Sequence, residues 1–211
     1  MTRLPADEEL ALPGADLRYV ADYIAQPDAL FASLREGIDW QQPQLKVFGR
    51  WHRTPRLVSF VGDDGVAYRY SGQRHLAQPW PAPLLELKQR LQTDFALHFN
   101  SALLNFYRDG NDSMGWHSDD EPELGDAPAI ASLSVGALRE FRLRPFPGRS
   151  QRDCSPQTIS LASGSLLLML PPTQHYWQHC LPRRAHRGPR INITFRLIDP
   201  AYCHHGSNSG N

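Results

Sequence analysis

Lysine is nearly absent from this chain: Lys46 and Lys88 are the only two, and arginine supplies the remaining 20 of 22 basic residues. Net charge is absent too, with 22 basic residues against 22 acidic ones, so the chain is not a protein that holds nucleic acid by bulk positive charge alone. No apolar run reaches the roughly 18 residues that a membrane-spanning helix needs. The opening MTRLPADEEL lacks the basic-then-apolar order of a secretory signal. The three cysteines, Cys154, Cys180 and Cys203, are odd in number and form no C-x-x-C pair, which speaks against a disulfide framework and against a zinc knuckle. These absences together predict an intracellular, cytoplasmic protein with free thiols and no membrane partner.

What is present fits one globular domain. The 211 residues, 41% of them hydrophobic, suffice for a proper core. Many short strand-like runs separated by turn residues predict a mainly β protein with helices outside, a sandwich or barrel. A short helix is expected after Pro27, with Asp28 as the N-cap candidate, running to about Gly37. Pro81 to Leu91 reads as a second helix that backs the sheet. Residues 1–16 read as an irregular arm and residues 201–211 as a disordered tail.

The stretch LLNFYRDGNDSMGWHSDD, residues 103–120, is the chemical centre. His117 and Asp119 are two apart, and on an extended strand residues two apart share a face, so both can grip one ion. Two histidines and one carboxylate on one face of an octahedron leave positions for a co-substrate and O2 at non-haem Fe(II). His179 is the candidate for the third ligand, just after the apolar run Gly164 to Leu170. Past it, Arg190, Asn192, Thr194 and Arg196 alternate with apolar residues, so one strand face carries two guanidiniums. A dicarboxylate co-substrate needs such a fork.

Asn105-x-Tyr107-x-Asp109-Gly110, His117-x-Asp119-Asp120-Glu121, Trp177-x-His179 and the run Pro189 to Arg196 together resemble the AlkB family of Fe(II)- and 2-oxoglutarate-dependent dioxygenases. The resemblance implies a double-stranded β-helix, or jelly roll, with N-terminal helices and a nucleotide-recognition hairpin lid. In these terms residues 17–100 are the extension carrying the lid, and residues 101–200 are the dioxygenase core. It implies Fe(II) on His117, Asp119 and His179, with 2-oxoglutarate and O2 as co-substrates. Arg190 would pair with the distal carboxylate, Asn105 and Tyr107 would hydrogen-bond the co-substrate, Thr194 would line its pocket, and Arg196 would lie near the chelating end and Asp119. The implied reaction removes N-methyl groups from bases of the 1-methyladenine and 3-methylcytosine type, releasing formaldehyde, succinate and CO2.

The substrate side rests on three further stretches. Val47, Phe48 and Gly49 sit between strand-like flanks and predict a hairpin tip, with Arg50, Arg53 and Arg56 beside it. Phe48 at that tip is either a wedge entering a base stack while the arginines hold phosphates, or a residue folded back into the core. The stretch resembles the V-F-G hairpin of duplex-repairing family members. Tyr68 and Tyr70, on one strand face with Arg69 and Ser71 beside them, either stack a nucleobase or pack a core; in the family the matching segment is the lesion lid, with His117 opposite. Asp120 and Glu121 either contact the base or form a solvated loop. Arginines also cluster at 139–152 and 183–190, which permits a basic face unless they simply spread over a solvated surface. Damaged DNA, single- or double-stranded, is the partner implied, with RNA as a further one and a monomeric protein. The same chemistry on RNA or a protein side chain is the rival reading, and a non-catalytic binding module the more distant one.

Overall fold

The computed structural model describes residues 8–47, 49–70, 73–150, 154–199 and 201–202, with the side chains of residues 8, 9, 45–47, 68–70 and 73–75 outside that description. In chain order the elements are β1 (Glu8–Leu10), β2 (Asp16–Val20), α1 (Pro27–Gly37), β3 (Gln44–Val47), β4 (Arg50–Arg53), β5 (Leu57–Gly62), β6 (Ala67–Tyr70) and β7 (Gln73–Leu76). Then follow α2 (Ala82–Phe95), β8 (Ser101–Tyr107), β9 (Met114–His117), β10 (Ile130–Gly136), β11 (Arg139–Pro145), β12 (Gln157–Leu161), β13 (Leu166–Leu170), α3 (Thr173–Tyr176), β14 (Trp177–Leu181) and β15 (Arg190–Arg196).

A seven-stranded antiparallel sheet runs β1-β2-β13-β10-β15-β8-β5, and a four-stranded sheet runs β12-β11-β14-β9. Strict alternation in the large sheet builds two cores at once. Leu104 and Phe106 of β8, Leu133 and Val135 of β10, and Ile191, Ile193 and Phe195 of β15 face outward, where Leu34 of α1 and Leu84 and Leu91 of α2 cover them. On the inner face, Ile130, Leu167 and Met169 meet Phe141, Leu143, Leu161 and Trp177 of the small sheet. Burying each such side chain contributes about 1.5–3 kcal/mol. The two sheets therefore close as a jelly roll, with α1 and α2 on one outer side.

Several expectations need correction. Residues 8–10 are not irregular: β1 pairs with β2, Glu8 opposite Tyr19 and Leu10 opposite Leu17. The boundary at residue 101 is not a structural one, because β2 and β5 lie in the same sheet as β8 and β15. Asp28 is not the N-cap of α1. Gln26 is, without a side-chain cap, and Pro27 takes the first turn because its missing N–H is one the helix leaves unpaired anyway. The tail beyond Tyr202 lies outside the described residues.

The arginine clusters do not lie wholly on the surface either. Arg139 is fully buried. Its guanidinium donates to the carbonyls of Asp109 (3.1 Å), Asp112 (3.0 Å) and Pro182 (2.7 Å) and lies 5.7 Å from the centre of the Tyr107 ring. It thereby ties the β8–β9 turn to the end of β14. The same turn is pinned from outside, where the Arg184 amide donates to the Gly110 carbonyl at 2.8 Å. A Cβ on Gly110 would sit 1.6 Å from the Arg184 carbonyl oxygen.

Arg139→Met keeps the volume and strands three carbonyls that the buried guanidinium had satisfied. It should cost about 3 kcal/mol or more, read as a lower denaturant midpoint with an unchanged m value.

Candidate metal and co-substrate site

The site is assembled where the small sheet faces the large one. β14 pairs with β9 so that His179 stands directly opposite His117, with an irregular register between His179 and Leu181. Directly opposed residues point to the same face, and the two imidazole rings meet at 4.2 Å between centroids. The strand of the H-x-D stretch is shorter than expected: β9 ends at His117, and Asp119 follows in the turn. What aims the carboxylate is hydrogen bonding. The Asp119 amide donates to Gln174 Oε1 at 3.0 Å, and Arg196 Nη2 donates to Asp119 Oδ1 at 2.5 Å. One donor atom from each of His117, Asp119 and His179 lies within 4.8 Å of the others.

The protonation states suit a divalent cation. The Nδ1 atom of His117 is 2.9 Å from the Gly115 carbonyl; a carbonyl only accepts, so Nδ1 carries the proton and Nε2 is left as the ligand atom. Burial pushes the His179 pKa down to about 3, and His117 pushes the same way against Asp119, so its imidazole is neutral. Burial alone would raise the Asp119 carboxyl. Burial is the largest single influence, yet Arg196, then His179 and His117, together outweigh it and hold the group below the usual carboxylate range. A neutral His179 imidazole, an ionised Asp119 and a His117 ring that turns its Nε2 toward them form a ligand set for a divalent cation. Phe141 stacks under His179, 5.0 Å between centroids and 27° between planes.

β15 supplies the opposite wall. Its inner face presents Arg190, Asn192, Thr194 and Arg196, and across the register Arg190 pairs with Tyr107 and Asn192 with Asn105. All of these line one narrow cavity together with His117, Asp119 and His179. Arg190 is 2% exposed. It donates from Nη2 to Ser134 Oγ at 2.8 Å, it lies 5.5 Å from the Tyr107 ring centre, and burial pushes its pKa down to about 10, which leaves it cationic. Its buried Nε has no partner among the described residues, a donor waiting for an acceptor. Asn192 is locked by Ser132 Oγ (2.8 Å) and the Leu133 carbonyl (2.9 Å), and Thr194 donates to Asn192 Oδ1 at 3.1 Å.

Sequence reasoning missed Ser132, Ser134, Gln174 and Phe141. The two serines left a signal, polar residues at every second position of the otherwise apolar Ile130 to Val135. Gln174 and Phe141 left none.

On the substrate side, β3 and β4 form a hairpin with Val47 opposite Arg50 and Gln44 opposite Arg53. Gly49 at its turn has φ +80°, which a side chain would resist. Arg50, Trp51, His52 and Arg53 are all exposed. Phe48 and Ser71 lie outside the described residues, and of Val47, Tyr68, Arg69 and Tyr70 only the backbone is described. β6 pairs with β7, Tyr68 opposite His75 and Tyr70 opposite Gln73, a second hairpin that the sequence reading showed only in its first strand. Asp120 is exposed and paired with Arg149 at 3.1 Å. The row of hairpin arginines loses one member: Arg56 is only 5% exposed and donates from Nε to Asn105 Oδ1 at 2.6 Å. Glu121 flanks the short 3-10 turn Pro122–Leu124.

A jelly roll that gathers two imidazoles, a carboxylate and two buried guanidiniums defines the class before any comparison. Residues 17–196 match the model of the 2OG-Fe(II) oxygenase superfamily. The chain is 38% identical over 183 residues to DNA oxidative demethylase ALKBH2 of Mus musculus, covering 83% of this chain and 77% of the relative. It is also 38% identical over 183 residues to alpha-ketoglutarate-dependent dioxygenase alkB homolog 3 of Mus musculus, covering 84% of this chain and 63% of the relative. The solved structure of OsALKBH1 shares the fold, at TM-score 0.62 and 16% identity, covering 91% of this chain and all of that one. The chain belongs to the AlkB family of the 2OG-Fe(II) oxygenase superfamily. Its cofactor is Fe(II) and its co-substrates are 2-oxoglutarate and O2. The donor set fits that metal, and the unpartnered Arg190 Nε fits an anionic co-substrate.

Arg196→Met should weaken metal affinity by roughly 10- to 100-fold, the usual effect of removing a group that orients a ligand. Calorimetric titration with Mn(II), a redox-inert stand-in, measures it.

Proposed function

We propose that this protein reverses alkylation damage in DNA directly, demethylating bases of the 1-methyladenine and 3-methylcytosine type. The observation that carries the reading is the convergence of His117, Asp119 and His179 with Arg190 and Arg196 on one buried cavity. Its likeness to a DNA oxidative demethylase over most of its length supports DNA as the substrate.

His117, Asp119 and His179 would hold the iron. Arg190, with one cationic donor unsatisfied, pairs with the far carboxylate of 2-oxoglutarate, and Tyr107 and Asn105 orient the co-substrate from β8. Thr194 closes the same wall, while Arg196 keeps Asp119 ionised and aimed. When bound, iron with 2-oxoglutarate and O2 supplies the oxidation that converts an N-methyl group to formaldehyde, with release of succinate and CO2.

The rest of the chain must present the base. The damaged nucleotide leaves the stack, which costs a few kcal/mol, less where methylation has already broken the pair. Val47 and Gly49 flank Phe48 in the sequence at the β3–β4 hairpin, and Phe48 would fill the gap left in the stack while Arg50 holds phosphate. The stretch Tyr68 to Ser71 would cover the extruded base, with Tyr70 on one side and His117 on the other and Asp120 and Glu121 at its rim. The protein acts as a monomer inside the cell on both single- and double-stranded DNA. The β3–β4 hairpin, separate from both main sheets, favours DNA over a protein side chain because it exposes Arg50, Trp51 and Arg53, a cationic and aromatic set.

Succinate release from 2-oxoglutarate with Fe(II) should rise several-fold when a methylated oligonucleotide is added, and His117→Ala or Asp119→Ala should abolish it; release that ignores the oligonucleotide would refute DNA as the substrate. Phe48→Ala should lower turnover of methylated duplex by about tenfold or more while changing single-strand turnover less than about threefold, since only the duplex has a stack to hold open. Equal losses on both would remove the wedge and leave the iron site standing.

A further inference from the structure

Two cavities share one wall. The inner one holds the ligand set. An outer one of about 400 Å3 lies beside the foot of the β3–β4 hairpin, against Gln41, Arg56, Val58, Phe60 and Leu103, and Leu103 also lines the inner cavity. Arg56 belongs to the outer wall and Asn105 to the inner one.

Their contact is set by the register of the sheet. Val58 stands opposite Asn105, and Arg56, in the bend just ahead of β5, reaches the same residue. Thr54 Oγ1 donates to the Arg56 carbonyl at 2.9 Å and fixes the turn. The Arg56 Nε to Asn105 Oδ1 bond is 2.6 Å long, between two side chains that are each 5% exposed.

A guanidinium only donates hydrogen bonds. The Asn105 atom against it must therefore be the amide oxygen, because the flipped amide would set N–H against N–H. The donor nitrogen of Asn105 is then the atom left to meet an anion. Without Arg56 either flip is allowed, and one of them turns an oxygen toward a carboxylate.

We propose that Arg56 is a positioning residue for 2-oxoglutarate, one that holds the Asn105 amide with its donor forward and links filling of the outer cavity to co-substrate binding. The inference rests on the oxygenase reading above. A substrate that fills the outer cavity removes water from the Arg56 guanidinium and strengthens its bond to Asn105. By linkage, 2-oxoglutarate then tightens substrate binding by the same factor.

The test is calorimetric titration of 2-oxoglutarate into the full-length protein loaded with Mn(II), with and without an oligonucleotide carrying 1-methyladenine. In the parent protein the oligonucleotide should tighten the Kd by about threefold or more. Arg56→Met should weaken it by about tenfold, the worth of one charge-assisted hydrogen bond, and abolish the tightening. Asn105→Ala should weaken it similarly, and the double variant should be within about twofold of Asn105→Ala, because both act through one amide. Arg56→Gln keeps a donor and should recover most of the affinity; it also serves if Arg56→Met fails to fold by thermal melt. A parent-like Kd in Arg56→Met, losses that multiply in the double variant, or Arg56→Gln no better than Arg56→Met would overturn the proposal. Failure of the parent itself to bind 2-oxoglutarate would instead overturn the oxygenase reading, and this inference with it.

Discussion

The pairing of β9 with β14 is the constraint on which the site depends. It sets His117 opposite His179, and both imidazoles then point between the sheets with no freedom to choose another face. A slip of one residue would bring Cys180 or Trp116 to the metal side. The adjacent pairings guard against that slip, because Leu143 opposite His179 on β11 belongs to the apolar core. The large sheet applies the same rule from the other side, since Ile191, Ile193 and Phe195 must face the helices. Arg190, Asn192, Thr194 and Arg196 are thereby obliged to face the iron site. Hydrophobic burial on the outer face aims the polar chemistry on the inner one.

Charge follows a second logic. Each arginine cluster gives up one member to the interior: Arg56 from the hairpin, Arg139 from β11 and Arg190 from β15. All three converge on two side chains of β8, Arg56 on Asn105 and the other two over the Tyr107 ring. Arg196 is the only one of the buried arginines with a carboxylate against it at hydrogen-bond distance among the described residues. Burying cations is costly, and a dianionic co-substrate is the group that balances them. A chain of zero net charge thus holds a locally positive pocket, while other acids are paired elsewhere, as Asp112 is with Arg108 and Asp120 with Arg149.

Much of this was legible in the sequence because it rests on alternation. The inner face of residues 190–196 follows from period-two reading, and the three metal ligands are legible from residue type and order, although Asp119 stands in the turn after β9 and not on the strand. What escaped was set by tertiary contact. Nothing local in Arg-Thr-Pro-Arg distinguishes the exposed Arg53 from the buried Arg56. Gln174 sits on a one-turn helix that carries no periodicity, and β7 is too short and too polar to register as a strand. Residues 8–10, two glutamates and a leucine, acquire their conformation by joining β2 at the edge of a sheet. The helix cap at Gln26 was misassigned because a proline at the first position makes a side-chain cap less necessary.

Gly110 shows how a motif letter can be a matter of clearance. The β8–β9 turn runs against the backbone of Arg184 with no room for a single carbon, while Arg139 grips the same turn from within. The turn cannot yield inward or outward, so any side chain there would have to displace the segment that follows β14. Because β14 carries His179, the smallest residue in the turn is also a spacer that sets how far apart two halves of the iron site can stand.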